Sequence, residues 1–232
     1  MSPEDRYATE TIIRELERRK QRNKIDTFYV TPENRAGYPV HMAFFEAGKH
    51  YRERLVLAGN RTGKTESIGG YETVLHLTGR YPDWWIGRRF DKPVSWWIGG
   101  DTATTVRDII QFKLLGKIGD FGTGLIPGNL LIDTSNKRGV PDAVENIYVK
   151  HLSGGRSVVQ LKSYDQGREA WQGTEQQGVW LDEEPPMPIY SEGLIRTMTT
   201  NGLVILTFTP MLGMTEVTQS FMEHGTCGEP KK

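Results

Sequence analysis

Three short stretches carry residue types that do phosphate chemistry. Ala58-Gly59-Asn60-Arg61-Thr62-Gly63-Lys64-Thr65 sets a lysine and a hydroxyl directly after a glycine, between an apolar run and a segment of helical spacing. Backbone N–H groups from Gly59 through Thr65, at the start of such a helix, form a cradle for anionic phosphates. Lys64 is suited to the β- and γ-phosphate oxygens and the Thr65 hydroxyl to Mg2+. The usual pattern, G-x-x-x-x-G-K-[ST], has Ala58 in place of its first glycine here, and Gly59 is expected to take over that backbone role. Val179-Trp180-Leu181-Asp182-Glu183 is a second apolar run, ending in two carboxylates. Phosphoryl transfer to water needs an acid that holds the metal and a group that positions or deprotonates the water. Asp182 suits the first task, through the water shell of Mg2+, and Glu183 the second. Glu184, followed by Pro185 and Pro186, is expected to point away. A third run, Leu203–Phe208, ends around Thr207 and Thr209, hydroxyls placed to feel the γ-phosphate and relay its loss. A glycine-lysine-threonine or an acid pair alone is a weak signal; together they describe an ATP hydrolase.

Strands must deliver these groups and helices must back them. Arg54–Gly59 reads as a buried strand running into the phosphate loop, and Lys64–Leu77 as the helix after it. Val94–Ile98 reads as a strand and Thr102–Leu115 as a helix. The glycine-rich stretch 116–128 reads as a loop and a candidate mobile element. Asn146–Leu152 and Ser157–Ser163 alternate apolar and polar residues around Ser153-Gly154-Gly155-Arg156, the pattern of a β-hairpin. Gly178–Leu181, Pro188–Thr199 and Leu203–Phe208 continue as strand, helix and strand, and a last helix is expected near Thr215. This alternation predicts an α/β fold with a mostly parallel sheet flanked by helices on both faces, of the P-loop NTPase type. Upstream, residues 3–24 read as a charged helix packed by one narrow stripe (Tyr7, Ile12, Ile13, Leu16), and 31–39 as an irregular connector. The expected division is an arm and connector over 1–37, the ATPase domain over 38–223, and a tail or linker over 224–232.

Composition narrows the class without naming the substrate. The 232 residues suit one sizeable α/β domain, with 37% hydrophobic and 25% charged residues. Lys plus Arg balance Asp plus Glu for a formal net charge of zero, so overall charge argues neither for nor against nucleic acid. No apolar run approaches the roughly 20 residues of a membrane span. The single cysteine excludes an internal disulfide, and the five histidines show no metal-ligand spacing. A reducing cytoplasmic setting follows.

The three stretches together resemble the ATPase domain of the phage large terminase subunit, a DNA-packaging motor. AGNRTGKT is similar to that family's variant Walker A, VWLDEEPP to its Walker B with catalytic glutamate, and TFTP to its coupling motif. YPDWWIGRRFDKP (81–93) and SYDQGREAWQG (163–173) are also similar to terminase sequence. The resemblance covers roughly 38–223 and implies an additional-strand, catalytic-glutamate NTPase fold. It implies that Arg61 stabilises charge on the transferring γ-phosphate, and that adenine lies against 38–45, with His41 where a glutamine is usual. Arg138 and Arg168 become candidates for an arginine supplied to a neighbour's site. It further implies double-stranded DNA as partner, a portal protein, a small terminase subunit, and a homo-oligomeric ring when assembled, leaving a monomer open for the isolated domain. Family members carry a C-terminal nuclease domain. No acidic cluster for its metals precedes Lys232, so the chain is expected to hydrolyse ATP without cleaving DNA and reads as an ATPase fragment. Arg88, Arg89, Lys137, Arg138 and the 116–128 loop are candidate DNA contacts. A DEAD-like helicase or translocase core, and a non-motor P-loop nucleotide-binding protein, are the competing readings.

Overall fold

A computed structural model describes residues 3–59, 62–211 and 213–224. Asn60 and Arg61, expected at the phosphates, and the 225–232 tail therefore lie outside the described residues. Seven strands form one sheet: β1 (Glu53–Leu57), β2 (Ser95–Gly100), β3 (Leu131–Asn136), β4 (Val144–Lys150), β5 (Arg156–Ser163), β6 (Gly178–Asp182) and β7 (Leu203–Phe208). Their spatial order is β1-β7-β6-β2-β5-β4-β3. The pairs β1/β7, β7/β6, β6/β2 and β2/β5 are parallel, whereas β5/β4 and β4/β3 are antiparallel.

Every residue of β6 and β7 is buried, as expected of strands covered on both faces. Period-two alternation divides them between two cores. Trp180, Leu203 and Ile205 join one core with Trp96, Ile98, Ile68 and Tyr71. Val179, Leu181, Val204, Leu206 and Phe208 join the other with Trp97, Ile189 and Val217. The first core is capped by a helix that begins as a π-helix, Lys64–Gly70, and continues as α4 (Tyr71–Thr78). The second is covered by α7 (Met187–Met198), α8 (Glu216–His224) and the 3-10 turn Arg168–Trp171.

Several expectations change. β1 is an edge strand: Leu57 is exposed, while Arg54 is buried. The residues after Thr31 are not irregular, because Thr31 caps a short helix, α2 (Pro32–Ala36), by accepting from the Asn34 N–H. Helix α3 (Pro39–Ala47) follows and buries Phe44 and Phe45. The helix expected over Thr102–Leu115 forms, capped by Thr102 and running from α5 (Ala103–Thr105) through a π-helical part (Val106–Gln111) to α6 (Phe112–Leu115). The glycine-rich stretch after it is knitted to that helix end. Gly122, Leu125 and Ile126 donate N–H bonds to the carbonyls of Leu115, Lys113 and Leu114, and both Leu125 and Ile126 are fully buried.

Helix α1 (Pro3–Arg22) forms as expected, but its stripe is unpacked: Tyr7, Ile12, Ile13 and Leu16 are all exposed. Ile25 and Tyr29 are buried in the main core, so the chain joins the body soon after α1 instead of at 38. Among the described residues no helix is long and apolar enough to cross a membrane.

Candidate nucleotide site at the carboxyl ends of the strands

The carboxyl ends of β1, β6 and β7 lie side by side, where open parallel sheets bind ligands. Each delivers one of the three chemical stretches. The loop after β1 turns into its helix at Gly63, whose φ of 84° is left-handed and open to glycine at no steric cost. Gly59 has no such requirement, so the expected substitute for the missing first glycine does not use a glycine-only conformation. Its carbonyl instead accepts a 2.9 Å bond from the Thr62 hydroxyl.

Lys64 is only 6% exposed, and its Nζ donates to the Thr209 hydroxyl at 2.8 Å. Thr209 in turn donates to the Ala58 carbonyl at 2.8 Å, so the end of β7 and both ends of the phosphate loop meet at one hydroxyl. The Thr65 hydroxyl lies 3.0 and 3.1 Å from the two Asp182 carboxylate oxygens. Asp182 is buried, and burial followed by the charge of Glu183 pushes its carboxyl up to about 7 against the hydrogen bonds that favour ionisation. A desolvated carboxylate beside a hydroxyl, both hard oxygen donors, fits a magnesium ion that retains most of its waters.

Thr207 stands opposite Asp182 in the β6/β7 register. It is fully buried, accepting from the Trp180 indole N–H at 2.7 Å and donating to Asp182 Oδ1 at 2.7 Å. It therefore supports Asp182 directly; of the two expected sensors only Thr209 meets Lys64. Glu183 is exposed, has a left-handed backbone (φ 64°), and donates its N–H to the Thr207 carbonyl at 3.1 Å. The carboxylate of Glu184 is engaged by the hydroxyls of Thr215 and Thr218 at the start of α8, which is where the prolines send it.

His41 sits beside the phosphate-loop helix through an intermediary that sequence reasoning missed. The Tyr29 hydroxyl contacts His41 Nδ1 at 2.6 Å and donates to the Ser67 carbonyl at 2.6 Å. Burial lowers the His41 pKa, keeping the ring neutral. Arg168 is held at home by Glu192, at 2.9 Å from Nε and 2.8 Å from Nη2. Arg138 is exposed in the β3–β4 turn, at the same end of the sheet as the phosphate loop. The basic residues named for DNA do not form one surface. Arg88 donates to the Asn201 carbonyl, before β7 begins, so it lies at the opposite end from Lys137 and Arg138.

Strand β7, inserted between the phosphate-loop strand β1 and the acid strand β6, defines a P-loop NTPase core of the additional-strand, catalytic-glutamate type. The family model for the terminase large subunit, T4-like-virus type, N-terminal, matches residues 55–225, and the chain belongs to that family. The large terminase subunit of Salmonella phage P22 is 40% identical over 209 residues, an alignment covering 82% of this chain and 42% of that protein. The chain thus spans less than half the length of that relative. The large terminase of a thermophilic bacteriophage, solved in complex with ADP, superposes with a TM-score of 0.50 at 12% identity, covering 82% of this chain and 38% of that one. A second crystal form of the same phage protein gives 0.52 at 12% identity, over 88% and 43%. At that identity the likeness speaks for the fold alone.

Proposed function

We propose that this chain hydrolyses ATP to drive double-stranded DNA into a viral procapsid, as the ATPase part of a large terminase acting in the host cytoplasm. The observation that carries the hydrolase reading is the convergence of Lys64, Thr65, Asp182 and Thr209 at the ends of three neighbouring strands, with Glu183 one residue beyond Asp182. Family membership, and the ADP complex of the thermophilic phage's terminase, support a nucleotide as the ligand.

In this reading the loop N–H groups and the helix start from Gly63 bind the phosphates, and Lys64 leaves Thr209 for the β- and γ-oxygens. Thr65 and Asp182 would hold Mg2+, which supplies charge neutralisation on the phosphates when bound. Glu183 orients the attacking water and takes its proton. Loss of γ-phosphate returns Lys64 to Thr209, and the 2.8 Å bond from Thr209 to Ala58 passes that change to β1 and β7. Arg61 adds positive charge at the γ-phosphate. The exposed Arg138 serves a neighbouring subunit of a ring better than Arg168, whose guanidinium neutralises a buried carboxylate. Portal protein and small terminase subunit are the further partners of this reading.

Phosphate release from ATP and Mg2+, with and without DNA, tests it. Glu183→Gln is expected to cut turnover at least about 100-fold while ADP still binds, as loss of a general base does. Turnover of Glu183→Gln at the wild-type rate would sink the assignment.

A further inference from the structure

Glu183 holds a backbone conformation that a non-glycine residue adopts only under constraint. Its φ of 64° is strained for a residue that carries a Cβ, so surrounding bonds must impose it. One side of the constraint is the 3.1 Å bond from the Glu183 N–H to the Thr207 carbonyl. The other comes from the 163–173 segment, whose role the nucleotide contacts leave unexplained. The Tyr164 hydroxyl lies 3.0 Å from the Asp182 carbonyl and 3.1 Å from the Glu183 carbonyl. It spans the two oxygens that flank the turn.

The tyrosine is itself fixed. It is 6% exposed and its ring lies 6.0 Å from that of the fully buried Trp171. Both rings sit over Gly99 of β2, where a Cβ would come within 2.4 Å of Trp171 and 2.9 Å of Tyr164. The sheet thus leaves a side-chain-free patch for the pair. Burial, then the nearby charges of Asp182, Glu183 and Asp101, raise the phenol pKa well above its ordinary value, so the hydroxyl stays a donor.

We propose that Tyr164 is a positioning residue for hydrolysis: its hydroxyl clamps the carbonyls of Asp182 and Glu183 and so fixes the left-handed turn that presents the Glu183 carboxylate. This rests on the reading of Glu183 as the group that acts on water. Misplacement of a reacting group by about 1 Å costs about 100-fold in rate. Tyr164→Phe keeps the ring and removes only the clamp. It is expected to lower kcat about 10- to 100-fold, with KM for ATP within about twofold of wild type. In a Glu183→Ala background, the same change is expected to do nothing further, because the group it positions is gone. A crystal structure of Tyr164→Phe should show φ at residue 183 leaving the left-handed region.

An unchanged φ at Glu183 overturns the proposal whatever the rate does. So does a kcat at the wild-type level, or a Tyr164→Phe loss that persists in full in the Glu183→Ala background. A fall in Tm of more than about 10 °C would mark the hydroxyl as a general structural bond, and that too overturns it. Absence of turnover in the wild-type chain and in its DNA-bound assembly would remove the hydrolase reading, while φ at Glu183 in the variant still decides the positioning role.

Discussion

Thr207→Val replaces a buried hydroxyl by a methyl of nearly the same shape, and two bonds disappear. The Trp180 indole N–H loses its acceptor and Asp182 Oδ1 loses a donor, each at 2.7 Å. A buried N–H left without a partner costs about 1–3 kcal/mol, and a hydrogen bond to a charged group contributes about 1.5–3 kcal/mol. The sum is about 2.5–6 kcal/mol while Asp182 is ionised. When Asp182 is protonated, its bond to Thr207 is worth only about 1 kcal/mol, and the loss falls to about 2–4. The carboxyl titrates at about 7 in the folded chain, above its unfolded value of about 3.9. The folded state therefore binds more protons between those values, and this group makes stability fall as pH rises through that window. Removing the Thr207 bond, which favours the ionised form, raises the folded pKa further and carries the fall to higher pH. Urea unfolding in EDTA at pH 6 and pH 8.5 reads this directly: the destabilisation by Thr207→Val should be greater at pH 8.5. Thr207→Ser, which keeps the hydroxyl, should lose about 1 kcal/mol at both values, the cost of one buried methyl. A Thr207→Val loss below about 1 kcal/mol, or one independent of pH, refutes the argument that this hydroxyl supports an ionised Asp182.

Two further outcomes follow from buried charges. Glu72, fully buried in α4, receives both arms of the Arg54 guanidinium (3.0 and 2.7 Å) and lies 3.2 Å from His76 Nε2. Burial opposes its ionisation, but Arg54 and His76 hold its pKa below the ordinary value. Glu72→Leu should cost about 3–5 kcal/mol in urea unfolding by stranding Arg54, and the double change with Arg54→Met should recover most of it. Lys162 lies under Trp97 and Trp171 with its Nζ 2.6 Å from the Ala170 carbonyl, and burial first, then Lys137, lowers its pKa to about 8. Between about 8 and 10.4 the unfolded chain holds a proton that the folded one has shed, so stability rises with pH there. Lys162→Met should flatten that rise, by about 1 kcal/mol after allowance for partial solvent screening, in urea unfolding across pH 7.5–10.

The parts legible in the sequence are those whose signal is local. An apolar run ending in a functional residue marks β1, β6 and β7, and the alternation of such runs with helical spacing points to a parallel sheet. Edge status is not local: Arg54–Gly59 reads as buried because its residues after the arginine are apolar or glycine, yet in β1 only Arg54 and Val56 are buried. The partner that makes a buried Arg54 tolerable, Glu72, lies on another element and has no pattern that announces it. Strand β3 escapes notice because Leu131–Asn136 is largely polar, with none of its residues fully buried, and is paired on one side to β4 alone. The stripe on α1 shows the converse. Its spacing is helical and the helix forms, but spacing alone does not supply a surface to cover it.

Thr207 and Thr209 show the same limit within the site itself. They share chemistry and strand parity, so the sequence treats them as equivalent hydroxyls near a phosphate. What separates them is where β7 stops pairing. Thr207 is still in register with Asp182 and is enclosed between sheet and helix, so its hydroxyl can act only on Trp180 and Asp182. Thr209 lies past the last paired residue, Phe208, where the chain is free to reach Lys64 and Ala58. A hydroxyl that bonds the phosphate-loop lysine must give up that bond when the lysine turns to a nucleotide; a hydroxyl buried against the metal-holding acid need not move at all. On the proposed function, the stretch would divide into a fixed half, whose hydroxyl favours the ionised form of Asp182, and a responsive half, whose hydroxyl bonds Lys64 and would register its movement.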